Sequence, residues 1–355
     1  MSDTPYLWRR IVRELRQDLE TRRLPAGAKY YSLAEICSKY GVSAITVRRA
    51  FNELEQEGLI QKRRFQGTFV RRREAALPVT LVVSEAMLSH PSIIPPRHYF
   101  WSEIMRGVSD VAQEHNVSLE TRSGLFYRPS LRGLNLIIVD NGDLRREALQ
   151  DLAAHNTVVF AHGYAPNPWA TIVRTDFRKG TLLAIKHLFG LGRRRIGYIT
   201  GLISNPWLTS RFDGYWTVMH RDRKLWDWDL VAETISDDAE ATFAAMQRLL
   251  NQRNPPTAIF ATNDAKALHV LEYCRMNGIR VPQDLSVIGF DNIPEAAQAD
   301  PPLTTINTQL HKLGQLAMRT LLRYIARGKK HEDILVAPEL VVRASTKVLS
   351  RSRVR

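Results

Sequence analysis

The feature that most constrains this 355-residue chain is a helix-capping pattern near its N-terminus. Ser32 and Glu35 have the spacing of a capping box, in which the serine oxygen and the glutamate carboxylate each bond a free amide at a helix start. Gly41 can take the left-handed conformation that ends such a helix, and Ser43 can cap a second helix two residues later. The pattern predicts two short helices joined by a turn of residues 41–43.

Apolar residues recur at helical spacing on both sides of this turn, which predicts one buried face on each helix. On the first helix they are Leu33, Ile36, Cys37 and Tyr40. On the second helix they are Val47, Ala50, Phe51 and Leu54. The second helix then leaves four polar side chains on its outer surface: Thr46, Arg48, Arg49 and Asn52. These residue types bond phosphates and base edges, although a solvated helix face is the alternative for the arginines.

Several motifs between Trp8 and Val70 occur in the order of a known DNA-binding fold. They are LPAG at 24–27, GVS at 41–43, TVR at 46–48, EGLI at 57–60 and GTFV at 67–70. On these motifs residues 1–70, the head, resemble the GntR-type winged helix-turn-helix. The resemblance implies that the second helix is the recognition helix and that the basic hairpin after it is the wing. It implies DNA contacts from Ser32, Ser43, Thr46, Arg48, Arg49, Lys62, Arg63, Arg64, Gln66 and Gly67.

Three positions of the head depart from the family pattern. The family usually has arginine where this chain has Ala34 and Ala44, and its first wing glycine is here Phe65. We therefore expect the operator sequence to differ from that of typical members. At the hairpin tip, simple solvation of Arg64 and Phe65 is an equal alternative to DNA contact.

Positive charge is concentrated in the first 78 residues. They carry 16 Lys/Arg and 9 Asp/Glu, so that +7 of the net charge of +14 lies in about a fifth of the chain. A basic domain gains affinity for duplex DNA by releasing condensed counterions. The two cysteines, Cys37 and Cys274, indicate a reducing compartment. Because no apolar run could span a membrane and no signal-peptide core is evident, the sequence predicts a cytoplasmic protein.

From residue 79 onward, short apolar strands alternate with amphipathic helices. The strand-like runs are 79–83, 136–140, 157–161, 196–200, 258–262 and 285–290. The helical stretches between them include 101–115, 177–191 and 239–251. This α/β alternation predicts parallel sheets with helices on both faces, and in such sheets ligands bind beyond the carboxyl ends of the strands. Because the segment is longer than one sheet usually holds, we expect two lobes with a cleft between them.

The most specific motif of this second part is VPQDLSVIGFDN at 281–292. Supporting matches are LGRRRIGYITG at 191–201, SRFDGY at 210–215, ATND at 261–264 and PLTTI at 302–306. On these motifs residues 79–346, the body, resemble the effector domain of lac-repressor-type regulators, which is similar to periplasmic sugar-binding proteins. A GntR-like head on such a body looks like the arabinose-responsive repressors. The resemblance implies a ligand-responsive transcriptional regulator, and by analogy a repressor.

The resemblance also places three ligand contacts in these motifs: Arg211, Asn263 and Asp291. A polyhydroxylated ligand needs a carboxylate that accepts two hydroxyls, a guanidinium that donates to adjacent oxygens and an aromatic face. We expect Arg211 and Asp291 to face each other from opposite sides of one pocket. Asn263 and Asp291 stand just beyond predicted strands, where capping of a turn is the alternative, and Asn263 could instead fix Asp264.

Further cleft candidates lie near predicted strand ends and helix starts. They are Ser84, Phe100, Trp101, His162, Asn205 and Trp207. His162 stands where many family members have an aspartate, and a neutral imidazole offers one donor and one acceptor, so the hydroxyl pattern or the charge of the ligand is expected to differ. Solvent exposure or a local carbonyl bond is the alternative for His162, and core packing is the alternative for Phe100 and Trp101.

The predicted organisation has four parts. They are a winged helix-turn-helix domain at 1–70, a linker at 71–78, a two-lobed ligand-binding and dimerisation domain at 79–346 and a basic tail at 347–355. The expected partners are a double-stranded operator, a small effector such as a sugar, and a second copy of the chain. Dimerisation is expected because one short recognition helix reads only a few base pairs, so two half-sites supply the rest.

Two other classes of function are weighed against a regulator. An enzyme is disfavoured because the chain has no phosphate-binding loop, no nucleophile elbow, no HExxH and no cysteine pair at metal spacing, so no cofactor or metal is expected. An aminotransferase-like body that binds pyridoxal phosphate, which some GntR-type heads carry, has no room beside the lac-repressor-like motifs. A cytosolic sugar-binding protein with a vestigial head is disfavoured by the complete capping pattern at 32–54.

Overall fold

A computed structural model describes most of the chain. The described residues are 7–22, 24–25, 27–64, 66–71, 76–83, 96–123, 132–139, 146–162, 169–221, 226–328 and 331–348. Phe65 and Ser84 lie outside them, and so does the side chain of Trp207. The chain divides into two compact units, Met1–Leu77 and Pro78–Arg355, of which the first contains the head and the second the body. No described helix is long and apolar enough to cross a membrane.

The head consists of three helices and a hairpin. They are α1 (Leu7–Arg22), α2 (Leu33–Tyr40), α3 (Ala44–Gln56), β1 (Ile60–Arg63) and β2 (Gly67–Val70). The two strands pair antiparallel, with Ile60 opposite Val70. Side chains from all three helices form the centre of its apolar core: Ile11, Leu15, Ile36, Val47, Phe51 and Leu54.

The capping pattern predicted for the head is confirmed. Ser32 Oγ accepts the Glu35 N–H at 3.2 Å, and Glu35 Oε2 accepts the Ser32 N–H at 2.6 Å. Gly41 has a φ of 62° and ends α2, and Ser43 Oγ accepts the Thr46 N–H at 3.4 Å at the start of α3. The turn between α2 and α3 therefore comprises residues 41–43.

The predicted buried faces are confirmed on α3 and only in part on α2. All four apolar residues of the α3 face are buried: Val47, Ala50, Phe51 and Leu54. On α2 only Ile36 is fully buried, whereas the other three are partly exposed at the edge of the same cluster: Leu33, Cys37 and Tyr40. An eight-residue helix has two turns, so a single central position can be enclosed on all sides.

The body alternates strands and helices as predicted. In chain order its elements are β3 (Leu77–Val83), α4 (Pro96–Glu114), β4 (Val117–Ser123), β5 (Asn135–Val139), α5 (Arg146–His155), β6 (Thr157–Ala161), β7 (Thr171–Thr175), α6 (Phe177–Gly190), β8 (Ile196–Thr200), α7 (Pro206–Met219), β9 (Val231–Glu233), α8 (Ala239–Leu250), β10 (Ala258–Ala261), α9 (Asp264–Met276), β11 (Ser286–Ile288), α10 (Pro294–Gln298), β12 (Thr305–Asn307), α11 (Leu310–Arg327), β13 (Asp333–Val336) and β14 (Glu339–Val341). A short 3-10 helix at Trp228–Leu230 precedes β9.

The strands of the body form two larger sheets, as a two-lobed fold requires. The first has the order β13-β7-β6-β5-β3-β4 and the second the order β11-β10-β8-β9. The pairs from β13 to β3 are parallel, and so are those of the second sheet. Because both faces of such sheets are covered, β8 and β10 are buried at every position. A separate antiparallel pair joins β12 and β14.

All six predicted strands of the body are present, and several others were not predicted. The missed strands include β4, β7, β9 and β13. In β13 exposed and half-buried positions precede the single buried one, and β9 has only three residues. Such segments lack the continuous apolar run that marks a central parallel strand, so their sequences alone do not distinguish them from loops.

Helices α4 and α11 cross at a distance that only glycine permits. A Cβ atom on Gly107 would lie 2.0 Å from the carbonyl oxygen of His311, and one on Gly314 would lie 2.2 Å from the carbonyl oxygen of Ile104. At the same crossing His311 Nε2 lies 2.7 Å from Asp110 Oδ2. The two helices therefore pack backbone to backbone beside the six-stranded sheet.

Candidate functional site

The outer face of α3 begins with small and apolar residues and continues with arginines. Ser43, Ala44 and Ile45 are exposed at its start, and Ser43 Oγ lies 3.0 Å from Thr46 Oγ1. Arg48 is exposed one turn further on. Because the opposite face of α3 is enclosed in the core, this surface is the part of the helix that a duplex can reach.

The structure distinguishes Arg48 from Arg49, which the sequence treated alike. The guanidinium carbon of Arg49 lies 4.4 Å from the ring centroid of Trp8, within the range of a cation–π contact. Arg48 is exposed, and no described residue of the head holds its side chain. Arg48 is therefore the arginine that can reach a phosphate or a base without first leaving a partner.

The hairpin predicted to be the wing carries exposed basic side chains, and two of them contact other parts of the head. Lys62 Nζ lies 3.0 Å from Glu55 Oε2 and donates a hydrogen bond to Asn52 Oδ1. The guanidinium of Arg63 lies 4.8 Å from the ring centroid of Phe69. The remaining candidates of the hairpin are Arg64 and Gln66, which are exposed, and Gly67, which has a φ of 112°.

In the body, Arg211 and Asp291 meet directly. Arg211 Nη2 lies 3.2 Å from Asp291 Oδ1, and Arg211 Nη1 donates to the carbonyl oxygen of Thr262. Both side chains are buried, since Arg211 is 8% and Asp291 4% exposed. We expected the two side chains to face each other from opposite sides of one pocket, and the structure brings them into direct contact.

Two aromatic rings contact the Arg211 guanidinium. Its central carbon lies 4.8 Å from the ring centroid of Phe177 and 4.2 Å from that of Phe290. Phe177 begins α6, which packs against α7, whereas Arg211 lies on α7 and Phe290 follows β11 of the four-stranded sheet. The three side chains therefore lie in one lobe, next to the carboxyl ends of its strands.

His162 belongs to the same cluster. It follows β6, it has a φ of 63°, and its ring centroid lies 5.8 Å from both Phe100 and Phe177. Burial, and after it the positive charge of Arg211, lowers the pKa of His162 to about 3. The imidazole is therefore neutral near pH 7 and offers the one donor and one acceptor that its sequence position predicted. The alternative of solvent exposure is wrong, because His162 is 8% exposed.

The carboxyl groups near this cluster are protonated more easily than ordinary ones. Burial raises the pKa of Asp291 to about 8, although the Arg211 guanidinium acts in the opposite direction. Burial also raises the pKa of Asp264 to about 6. Asp264 Oδ2 accepts the N–H of Ile293 at 2.9 Å and Oδ1 accepts the hydroxyl of Thr305 at 2.5 Å. Asp264 thereby holds the loop that carries Asp291.

Asn263 adopts the capping role that was left open as its alternative. Its Oδ1 atom accepts the N–H of Lys266 at 2.9 Å at the start of α9, and its Nδ2 atom donates to Asp237 Oδ2 at 3.1 Å. Both groups of the amide are thus engaged within the body. Asn263 positions Asp237 beside the strand ends, in addition to capping a helix.

Lys266 and Asp237 form an ion pair that sequence reasoning missed. Lys266 is fully buried, and its Nζ atom lies 2.7 Å from Asp237 Oδ1 and 2.6 Å from Thr234 Oγ1. The side chain of Asp237 is 44% exposed. The available signal was a lysine one helical turn before the buried Val270, on a face where an apolar residue is usual. A buried cation needs such a partner.

The other cleft candidates have diverse surroundings. Phe100 is half-buried against His162, whereas Trp101 is 6% exposed and belongs to the core. Asn205 is exposed, and its carbonyl oxygen accepts the N–H of Leu208 at 2.8 Å at the start of α7. Within the described part of the chain, no three side chains of His, Cys, Asp or Glu cluster as metal ligands would.

Both parts of the chain match models of known protein families. Residues 7–70 match the model of the bacterial regulatory proteins of the gntR family. Residues 185–346 match that of the periplasmic binding protein-like domain. The first match coincides with the described head, and the second covers the part of the body from the middle of α6 to residue 346.

Relatives of the chain include named repressors. It is 29% identical over 349 residues to the HTH-type transcriptional repressor CytR of Escherichia coli (strain K12), a match that covers 90% of this chain and 97% of that protein. It is 30% identical over 216 residues to the HTH-type transcriptional repressor PurR of Haemophilus influenzae (strain PittEE), which covers 59% of this chain and 64% of that protein.

Solved structures of regulators share the fold. The transcriptional regulator CelR in complex with cellobiose matches with a TM-score of 0.61 at 23% identity, covering 86% of this chain and 91% of that one. A LacI family regulator of Enterococcus faecium with bound ribose matches with a TM-score of 0.61 at 24% identity, covering 76% and 100%. With the two family matches and the sequence relatives, these findings show that the chain is a DNA-binding transcriptional regulator that joins a GntR-type head to a periplasmic-binding-protein-like body and is homologous to the CytR and PurR repressors.

Proposed function

We propose that the body binds a small polyhydroxylated molecule, a sugar, at the cluster around Arg211 and Asp291, and that this binding changes the affinity of the head for its operator. The observation that carries the proposal is the buried contact of these two residues, beside the rings of Phe177 and Phe290 and next to His162 of the other lobe. Burying an arginine and a carboxyl group in this way costs desolvation energy, which supports a role other than stability.

The chemistry of the cluster matches adjacent hydroxyl groups. Arg211 Nε has no hydrogen-bond partner among the described residues, and Asp291 retains acceptor capacity beside the oxygen that contacts Arg211. A hydroxyl inserted between the two side chains can donate to a carboxyl oxygen of Asp291 and accept from the guanidinium, so the pair exchanges its mutual contact for contacts with the ligand. The phenyl rings can pack on the apolar side of a sugar ring.

Two further side chains support a polar ligand in the same region. Neutral His162 provides one donor and one acceptor from the other lobe, and Asp237, held by Lys266, provides a half-exposed carboxylate. The structures of two related regulators were determined with cellobiose and with ribose. We infer the sugar class from this agreement between the residue chemistry and the ligands of those proteins.

On the DNA side, we infer that two copies of the chain bind a two-fold operator and repress transcription in the cytoplasm. We assign the domains as a head at 1–70, a linker at 71–78, a body at 79–346 and a tail at 347–355. The exposed Arg48 and the basic hairpin supply phosphate and base contacts. Repression is inferred from the relatives, which are repressors by name.

The test measures ligand response and DNA affinity separately. A panel of sugars and nucleosides is screened by thermal shift on the parent protein, and operator binding is then titrated with and without the best compound. Arg211→Ala and Asp291→Ala should abolish the response while the ligand-free proteins still bind DNA, because the response requires a ligand that distinguishes two states. Arg178→Ala is the matched control, since Arg178 is an exposed arginine that donates to Thr217 Oγ1 at 3.2 Å.

Two outcomes would contradict the proposal. If both variants respond to the compound with parental midpoints, the ligand does not bind at Arg211 and Asp291. If the folded parent protein binds no operator in any ligand state, the chain is not the regulator proposed here.

A further inference from the structure

Ile45 is an aliphatic side chain left almost fully in water. It lies in the first turn of α3 and is 79% exposed. The other apolar residues of that helix are in the core: Val47, Ala50, Phe51 and Leu54. Among the described residues of the head, Ile45 is the single large apolar side chain exposed to this extent. Its exposure therefore does not follow from the packing of α3.

The surroundings of Ile45 are those of a surface that binds DNA. Arg48 and Arg49 lie three and four positions further along, so they are its neighbours on the same face of the helix. The preceding residue, Ala44, is exposed and has only a methyl group. The two nearest hydroxyls, of Ser43 and Thr46, lie 3.0 Å apart and bond each other. The exposed start of α3 thus presents the apolar side chain of Ile45 beside two arginines, in place of the hydrogen-bonding groups that usually read bases.

The edges of DNA bases in the major groove present one methyl group, the C5-methyl of thymine. We propose that Ile45 is a specificity-determining residue that packs against the C5-methyl of a thymine in each operator half-site. This inference rests on the proposed function, in which α3 enters the major groove. The flanking arginines bring the helix onto the duplex, and the small Ala44 leaves space for the helix start to approach the base edge. The half-site therefore requires thymine at the position that Ile45 faces.

The test removes single methyl groups from the DNA. The full-length protein selects binding duplexes from a random pool, and each thymine of a selected duplex is then replaced in turn by deoxyuridine, which lacks only the methyl. At one thymine of each half-site, the replacement should weaken binding by about fourfold, the equivalent of one buried methyl group at about 0.8 kcal/mol.

Variants assign that loss to Ile45. Ile45→Ala should weaken binding to the thymine duplex and should show no further loss on the deoxyuridine duplex, whereas Ile45→Val, which keeps a branched side chain, should remain sensitive to the methyl. Ile235→Ala is the matched control, because Ile235 is an isoleucine of the body that is 91% exposed. Since Ile45 is exposed, all variants should have the parental melting temperature.

The outcomes separate this inference from the proposed function. If the selected duplexes bind well but no thymine is sensitive to the loss of its methyl, or if Ile45→Ala keeps the full sensitivity, the inference is wrong and the regulator remains. If the protein selects no duplex at all, the proposed function fails and the inference fails with it.

Discussion

Arg211 Nη2 and Asp291 Oδ1 lie 3.2 Å apart although 80 positions separate the two residues in the chain. The contact ties α7 to the loop after β11, in surroundings from which water is largely excluded. Burial disfavours the charged forms of Asp291 and His162, which is why the pKa of Asp291 is raised and that of His162 is lowered. The two shifts should therefore act on the stability of the body in opposite directions and over overlapping pH ranges, from 3.8 to 8 for Asp291 and from 3 to 6.5 for His162.

Above pH 6.5 the free energy of unfolding should fall because of Asp291. Its pKa is about 8 in the folded protein and 3.8 ordinarily, so between these values the unfolded chain has released a proton that the folded protein retains. Stability is therefore lost as pH rises, by up to about 1.4 kcal/mol per pH unit. Denaturant titrations from pH 6.5 to 8 should show this decline in the parent and not in Asp291→Asn. Parallel curves for the two proteins would contradict the assignment.

Below pH 6.5 His162 should lower the free energy of unfolding, whereas Asp291 acts in the opposite direction down to pH 3.8. Its pKa is about 3 in the folded protein and 6.5 ordinarily, so on acidification the unfolded chain binds a proton that the folded protein does not bind. The contribution of His162 to stability is therefore lost as pH falls from 6.5 towards 3, again by up to about 1.4 kcal/mol per pH unit. Asparagine tolerates the φ of 63° at this position, so His162→Asn is a suitable variant. The difference in unfolding free energy between parent and variant should change with pH in this range and be constant above pH 7.

Removing Asp237 should lower the free energy of unfolding more than removing its partner Lys266. Asp237→Asn leaves a fully buried ammonium without its counter-charge and should cost about 3–5 kcal/mol of unfolding free energy. Lys266→Met leaves a carboxylate that is 44% exposed and can be hydrated, together with an unpaired Thr234 hydroxyl, and should cost about 1–3 kcal/mol. Denaturant titration at pH 7 measures both values, and the opposite order would exclude this account of the pair.

The crossing of α4 and α11 should not tolerate a side chain at Gly107. Gly107→Ala places a Cβ atom 2.0 Å from a carbonyl oxygen, so the helices must separate, and we expect a loss of about 3 kcal/mol or more. Gly190→Ala is the matched control, because Gly190 is also helical and a Cβ there meets nothing within 4 Å. That control should be neutral or stabilised by about 1 kcal/mol. Equal melting temperatures of the two variants would show that the crossing is not as close as described.

In the head, Arg48→Ala should weaken operator binding more than Arg49→Ala. Arg48 is exposed and no described residue of the head contacts its guanidinium, so its loss should cost about 1–3 kcal/mol of binding free energy if it reads a base edge. Arg49 must leave the ring of Trp8 before it can contact DNA, which reduces its net contribution. Titration of the selected operator and of an unrelated duplex, at two salt concentrations, separates base reading from phosphate contact. Unchanged operator affinity in a folded Arg48→Ala protein would remove this residue from the interface.

Local features of this protein were predictable because neighbouring residues create them. The capping box of Ser32 and Glu35, the left-handed Gly41 and the cap at Ser43 each involve groups within four positions of one another. The apolar runs of β8 and β10 likewise reveal buried parallel strands from their own composition. Motifs of both parts also led to the correct families, since a motif is a local pattern.

Relationships between distant residues were decided by tertiary structure. Sequence motifs placed Arg211 and Asp291 in one site but not in contact, and they did not show that Asn263 would cap α9 and hold Asp237. A helix cap and a ligand contact both require a residue such as Asn263 at a strand end, so the sequence could not distinguish these two roles. Only the arrangement of the strand ends brings Asp237 to Asn263 and Asp291 to Arg211.

The sequence by itself determined the two capped helices of the head, the central strands of the body and the two families. The tertiary structure alone decided which charges are buried and which partner each charge meets: Lys266 is enclosed, Arg49 contacts Trp8 and Arg48 remains accessible. The physical reason is that helix caps and apolar runs depend on interactions over a few residues, whereas desolvation and ion pairing depend on the packing of segments far apart in the chain.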